Sequence, residues 1–179
     1  MIRKFTIYFF IAFTIIIFSS SQVNAQDIGS PSSSIVTTVI DVRYELVNPT
    51  GGISYLFKRI GEKISLFIAF SNNSKVNNYR KLVDVRLSEL KYIIEKKEMA
   101  FFEKSTQRYF TTAGQYTSFL ISKNIKSEFV PAKEVLLSHI PVLIKLRDTY
   151  DPSTAEWRFV EDDVNYIKGY IDDLSTRQP

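Results

Sequence analysis

Cysteine is absent from the 179 residues. That removes disulfides, a thiol nucleophile, thiolate metal ligands and lipid attachment at a cleavage cysteine. Histidine occurs once, as His139, which excludes a paired-histidine metal site and leaves one imidazole as a general base. Glycine is sparse, and Gly51-Gly52 is followed by no Lys-Ser or Lys-Thr pair, so no phosphate-cradling loop is present. An excess of one charge is missing too. With 23 Lys and Arg against 19 Asp and Glu the formal charge is +4, or +2 without Arg3 and Lys4, and so near-neutral a balance gives no electrostatic footprint for nucleic acid.

Against this background the first 25 residues carry a clear pattern. Arg3 and Lys4 form a short basic stretch. Residues 5–18 then run without charge, broken only by Thr6 and Thr14, and Val23-Asn24-Ala25 places small residues at a cleavage position. This is the three-part layout of a secretory signal. The run is short for a spanning helix, which needs about 20 residues, so the expectation is export with a cut between Ala25 and Gln26. An uncleaved signal would be the chain's membrane attachment. Cleavage also removes Arg3 and Lys4, which brings the exported part closer to neutrality. Its remaining aromatics suffice to fill a core, as a domain without disulfides requires.

Residues 26–34 (Gln-Asp-Ile-Gly-Ser-Pro-Ser-Ser-Ser) have nothing to bury, and 26–39 reads as a flexible linker. An arm at 40–52 follows. Within it Ile40, Val42, Tyr44 and Leu46 alternate with Asp41, Arg43 and Glu45, a period of two that predicts an extended segment. No second run follows to pair with it. It therefore reads as an arm laid over helices, the other reading being an edge strand for a partner chain. Asn48-Pro49-Thr50-Gly51-Gly52 closes it as a turn.

From Ile53 the period becomes helical, and 53–176 reads as the bundle. The first stripe is Ile53, Leu56, Ile60, Ile64 and Phe67, with Gly61 suggesting a close neighbour. Ser71-Asn72-Asn73-Ser74 offers a stop and a cap. The second helix carries Val76, Tyr79, Val83, Leu87, Leu90 and Ile94. The third carries Phe102, Tyr109, Ala113, Tyr116 and Leu120. Neither Gly nor Pro separates these two, yet a single rod over 74–123 would be about 75 Å long and would strand its aromatic stripe. A hairpin near Lys97 is the expectation. Residues 124–130 are polar and irregular. Pro131 suits the first turn of a fourth helix bearing Leu136, Ile140, Leu143 and Tyr150, which Pro141 should kink or divide. Ser153 and Glu156 have capping-box spacing. The last helix has the most regular stripe: Trp157, Val160, Val164, Ile167, Ile171 and Leu174. The five stripes need one another to be buried, so the fold class is all-α: a small bundle of about five helices, preceded by an extended N-terminal arm and a cleavable signal peptide.

Chemistry is harder to place. Ser138 and His139 are adjacent, and neighbours on a helix point apart. His139 is expected to be a partly exposed helix residue. Glu161-Asp162-Asp163 fans its carboxylates outward and reads as a solvated face in preference to a cation site. Asn72-Asn73-Ser74 matches the glycosylation pattern but serves as a cap. No catalytic, cofactor-binding or metal-binding residue is assigned, and no cofactor is implied.

The segment Tyr44-Glu45-Leu46-Val47-Asn48-Pro49, then Tyr55-Leu56-Phe57-Lys58-Arg59 and Glu62-Lys63, resembles a bacterial family known as domain of unknown function 5667. Arg86-Leu87 and Glu95-Lys96 match its second helix and the following turn. The resemblance covers about residues 42–124, so 53–124 is the family-like part and 130–176 the C-terminal helices. His139-Ile140-Pro141-Val142-Leu143, residues 145–148, Tyr150, Trp157, Asp163 and Tyr170 look like an extension that some members carry. Gly51-Gly52-Ile53 stands where the family usually has an acidic residue and Pro. The resemblance implies an exported protein with an extended arm leading into a helix, and it brings no activity.

Two readings of function follow. The first is an exported non-enzymatic helical domain acting by protein or cell-envelope contact, secreted or held in the extracytoplasmic space. The alternative is a sensor or carrier that binds a small ligand or cation between helices, through the carboxylates or Tyr109, Tyr116 and Tyr166.

Overall fold

The structure, a computed structural model, describes residues 49–177. The signal, the linker and the alternating stretch of the arm lie outside the described residues. Those described form five α-helices and two single-turn 3-10 helices, with no strand among them. The helices are α1 (Gly52–Ile68), α2 (Asn72–Glu95), α3 (Phe102–Ser122), α4 (Phe129–Arg147) and α5 (Ala155–Thr176).

The expected hairpin is present, and hydrogen bonding explains the turn. Lys97 sits in the left-handed region at φ 57°. Its N–H bonds to the carbonyl of Ile94 at 3.1 Å and that of Glu98 to Ile93 at 3.0 Å. This double bond pattern is a Schellman cap, which satisfies the last carbonyls of a helix and reverses the chain. Asn124, at φ 52°, repeats it after α3, with Asn124 N–H to Ile121 and Ile125 N–H to Leu120.

Helix starts follow side-chain chemistry. Ser71 caps α2 by accepting from the Ser74 N–H at 3.1 Å. The expected Ser153 cap of α5 is displaced by one residue. Thr154 accepts from the Trp157 N–H at 3.3 Å, while Ser153 is held by Asp151. Pro141, exposed on its outer side, does not divide α4. Its missing N–H leaves the neighbouring turns to carry the helix on.

Helices α2 to α5 enclose the core. α3 packs on both α2 and α5, and α4 closes the ring against α5 and α2. Val83, Leu90, Ile93, Tyr109, Ala113, Tyr116, Leu120, Leu136, Leu143, Val160, Val164, Ile167 and Leu174 are wholly enclosed. The second, third and last stripes are therefore core as expected, save that Tyr79, Trp157 and Ile171 are half-buried. In the fourth, Leu136 and Leu143 are enclosed, Ile140 is half-buried, and Tyr150 lies beyond the helix in an edge-on pair with Phe102, the ring centres 5.7 Å apart. The close approach expected at Gly61 occurs elsewhere. Among the described residues nothing lies within 4 Å of where a Cβ on Gly61 would sit, whereas a Cβ on Gly114 of α3 would come within 2.7 Å of the Tyr170 hydroxyl on α5.

Because Ile167 is completely buried and Asp172 is exposed, the two are expected to respond differently. Ile167→Ala should cost about 2–5 kcal/mol through lost burial and a residual cavity. Asp172→Ala should change stability by less than about 0.5 kcal/mol. Denaturant midpoints at low protein concentration read both. Equal midpoints would make the α5 stripe a surface instead of a core.

Candidate interaction surface

The first helix departs most from expectation. Its apolar stripe does not face the bundle. Ile53, Leu56, Phe57, Ile60, Ile64, Phe67 and Ile68 all lie on the outside, Phe67 at 87% exposure, and Phe70 just beyond the helix is at 99%. Tyr55, three residues before Lys58 and seven before Glu62, defines the opposite side, and this polar side is the one laid on α2.

A buried charge cluster explains that orientation. Arg86 and Glu89, one turn apart on α2, are almost wholly enclosed. The Arg86 guanidinium donates to Glu89 Oε2 at 2.6 Å and to Glu62 of α1. Glu89 also accepts from Lys58 Nζ and from the Tyr55 hydroxyl at 3.2 Å. Arg108 of α3 donates to that hydroxyl at 2.9 Å and lies 5.3 Å from the Tyr55 ring centre. Burial alone would push the Glu89 carboxyl up, but Arg86 and Lys58 hold it below the usual range. A buried charge at this depth persists only when paired and hydrogen-bonded. Turning α1 over would strip Glu89 of its Lys58 and Tyr55 partners. So the cluster fixes which side of α1 meets the bundle, and the apolar row is left outside.

A second polar set lies within the bundle. His139 is buried, not partly exposed as expected. Its Nδ1 is 3.1 Å from the Tyr109 hydroxyl and its Nε2 3.0 Å from Asp84 Oδ1. An imidazole carrying its proton on Nε2 donates to Asp84 and accepts from Tyr109, so one neutral tautomer satisfies both contacts. The set ties α2, α3 and α4 together. Asp163 is also a correction. Within the acidic run Glu161 reaches Arg147 at 2.6 Å and Asp162 is exposed, but Asp163 is fully buried and, among the described residues, has no hydrogen-bond partner on either oxygen. Burial, then the charge of Asp162, raises its carboxyl to about 9, so it is a neutral acid at neutral pH.

The sequence contained signals for these residues. His139 is three after Leu136 and four before Leu143, and Asp163 is three after Val160 and four before Ile167, so both occupy stripe positions. Of the three tyrosines considered for a ligand site, Tyr109 and Tyr116 are core residues. Tyr166 lies outside, stacked on Phe110 at 4.6 Å between ring centres. The three are not brought together around one space. Among the described residues, no group of three or more histidines or carboxylates is placed to hold a metal ion. No described helix is long and apolar enough to cross a membrane.

No curated protein and no solved structure matches the chain. A family model does match, over residues 49–145, a span that takes in α1, α2 and α3 and most of α4 but leaves α5 outside. The chain thus belongs to the family described as Domain of unknown function (DUF5667).

Proposed function

We propose that this protein is an exported, non-enzymatic helical domain that acts by contact with a protein of the cell envelope, and that the outward apolar face of α1 makes the contact. The observation that carries the reading is that row of exposed Ile, Leu and Phe side chains, held outward by a buried ion cluster. Soluble single chains seldom present a continuous apolar strip of this size unless something binds it. Aromatic and aliphatic anchors in one row are also the composition of an interface centre. The secretory layout of residues 1–25 supports the location. The enclosure of Tyr109, His139 and Asp163, which keeps the most reactive polar groups from any substrate, supports the non-enzymatic part.

Capture from native envelope extract with the full chain as bait tests this. Ile60→Asp should abolish capture of the bound protein while leaving the melting midpoint near that of the wild type, because Ile60 is exposed on the outer side of α1. Leu137→Asp, on the outside of α4, should capture normally. Undiminished capture by Ile60→Asp would remove α1 from the contact.

A further inference from the structure

Beside the buried ion cluster, α1, α2 and α3 leave a cleft of about 320 Å³ between them. We infer that this cleft binds a small molecule through a phosphoryl group. The inference does not rest on the contact argued for the apolar row, because the cleft opens where the polar side of α1 meets α3.

The charges around the cleft do not balance. Lys58, Arg59, Lys63, Arg86 and Arg108 gather about two carboxylates, Glu62 and Glu89, which leaves an excess of three positive charges. Both carboxylates are already committed. Glu89 holds Arg86, Lys58 and the Tyr55 hydroxyl. Glu62, the one acid lining the cleft among the described residues, holds Arg86 and Arg59, with Lys58 at 3.7 Å. Two cations therefore line the cleft without a carboxylate among the described residues. Lys63 is exposed and makes no ion pair there, and Arg108 rests on a neutral group, the Tyr55 hydroxyl at 2.9 Å. A recess lined by one sign of charge focuses its field and draws in the opposite ion.

Arg108 is also held ready. Its guanidinium lies over the Tyr55 ring, 5.3 Å from the centre, and donates through Nη1 to the hydroxyl. That contact fixes the side chain and leaves its other N–H groups for an incoming oxyanion. Gln107, Thr111 and Gln115, spaced one turn apart on α3, are exposed and add neutral polar groups to the same wall.

Charge and volume together select the class of ligand. A carboxylate offsets one of the three charges, whereas a phosphate monoester carries about 1.5–2 at neutral pH. Its oxygens also match the guanidinium fork. The volume sits at the lower end of the range of roughly 300–1,000 Å³ for small-molecule sites, more than a phosphate group alone fills. Leu66 and Leu82, both half-buried, supply an apolar wall for the organic remainder. A soluble phosphate ester and a phospholipid head group share this chemistry.

Phenyl phosphate and benzoate are suitable probes, since they share a ring and differ in the anion. Titrated into the isotope-enriched full chain at constant ionic strength, phenyl phosphate should move the amide signals around Lys63 and Thr111 saturably. Benzoate should bind at least about tenfold more weakly. Arg108→Gln should raise the phenyl phosphate dissociation constant by about tenfold or more. Lys63→Gln, which breaks no ion pair of the fold, should raise it by about threefold. Lys168→Gln, exposed on α5, should bind as the wild type does. Signals that move equally with benzoate would overturn the inference, as would wild-type affinity in both the Arg108 and the Lys63 variants. Co-sedimentation with vesicles containing phosphatidic acid, lost in Lys63→Gln, would make the ligand a lipid head group. Saturable phenyl phosphate binding without co-sedimentation would make it a soluble ester, and either result supports the phosphoryl site. None of these measurements involves capture, so the cleft and the envelope contact stand or fall separately.

Discussion

Arg86→Met is expected to lower the unfolding free energy by about 3–5 kcal/mol, the usual loss when one partner of a buried ion pair is removed. Arg86 is the group that holds Glu89 and Glu62 at once. Without it Glu89 stays enclosed at 1% exposure, with Lys58 as its remaining cation. The double variant Arg86→Met with Glu89→Leu should recover much of the loss, since it removes the stranded charge together with its partner. Denaturant unfolding of wild type, single and double variants reads the difference. A loss below about 1 kcal/mol for the single change would mean that water already reaches the cluster, as at an exposed pair.

Asp163→Asn should act in the opposite direction, and its effect should grow with pH. The native carboxyl, raised to about 9 from the ordinary 3.8, keeps its proton where the unfolded chain has lost it. Between those values the native state binds more protons than the unfolded state, so stability falls as pH rises. The contribution is complete below the unfolded value and is lost progressively up to the folded one. At full slope a single group changes stability by about 1.4 kcal/mol per pH unit. We expect the variant to exceed the wild type by at least about 2 kcal/mol at about pH 8 and to draw level near pH 4. The charged and titratable groups around the site, Asp162, Tyr109 and Tyr170, are common to both proteins and cancel in the comparison. Identical pH profiles would show that Asp163 is ionised and solvated in the native state. Glu89 has the reverse sign: its lowered value adds stability above the unfolded range, and this is lost as pH falls through the folded value. The two groups oppose each other at opposite ends of the scale.

How legible all this was in the sequence depended on what each pattern encodes. The α5 stripe was readable because Val160, Val164, Ile167 and Leu174 leave only one side to bury. The caps were nearly so, since Ser71 and Thr154 have few competitors for the first free N–H groups. The hairpin at Lys97 was reached by a length argument and by the family resemblance at Glu95-Lys96, because a lysine in the left-handed region carries no composition signal. α1 was misread for a deeper reason. Amphipathic spacing states that a helix has two unlike sides, and it does not state which one meets the bundle. That choice was made by Arg86 and Glu89, more than twenty residues further along the chain. Their burial demanded Lys58, Glu62 and Tyr55 as partners. Asp163 was hidden by its neighbours, since a run of three acidic residues reads as a wet surface although helical rotation turns the third one inward.

The polar seat of α1 also sets how its attachment responds to temperature. Releasing the helix exposes carboxylates, guanidinium groups and a tyrosine, while its outward row is the same before and after. Hydration of polar surface lowers the heat capacity and hydration of apolar surface raises it. Unseating α1 should therefore carry little of the positive heat-capacity change that melting α2 to α5 must carry. The bundle has a curved stability profile with a temperature of maximum stability, weakening on cooling as well as on heating. The attachment of α1 lacks that curvature, so on cooling it should hold its strength while the core beneath it loses some.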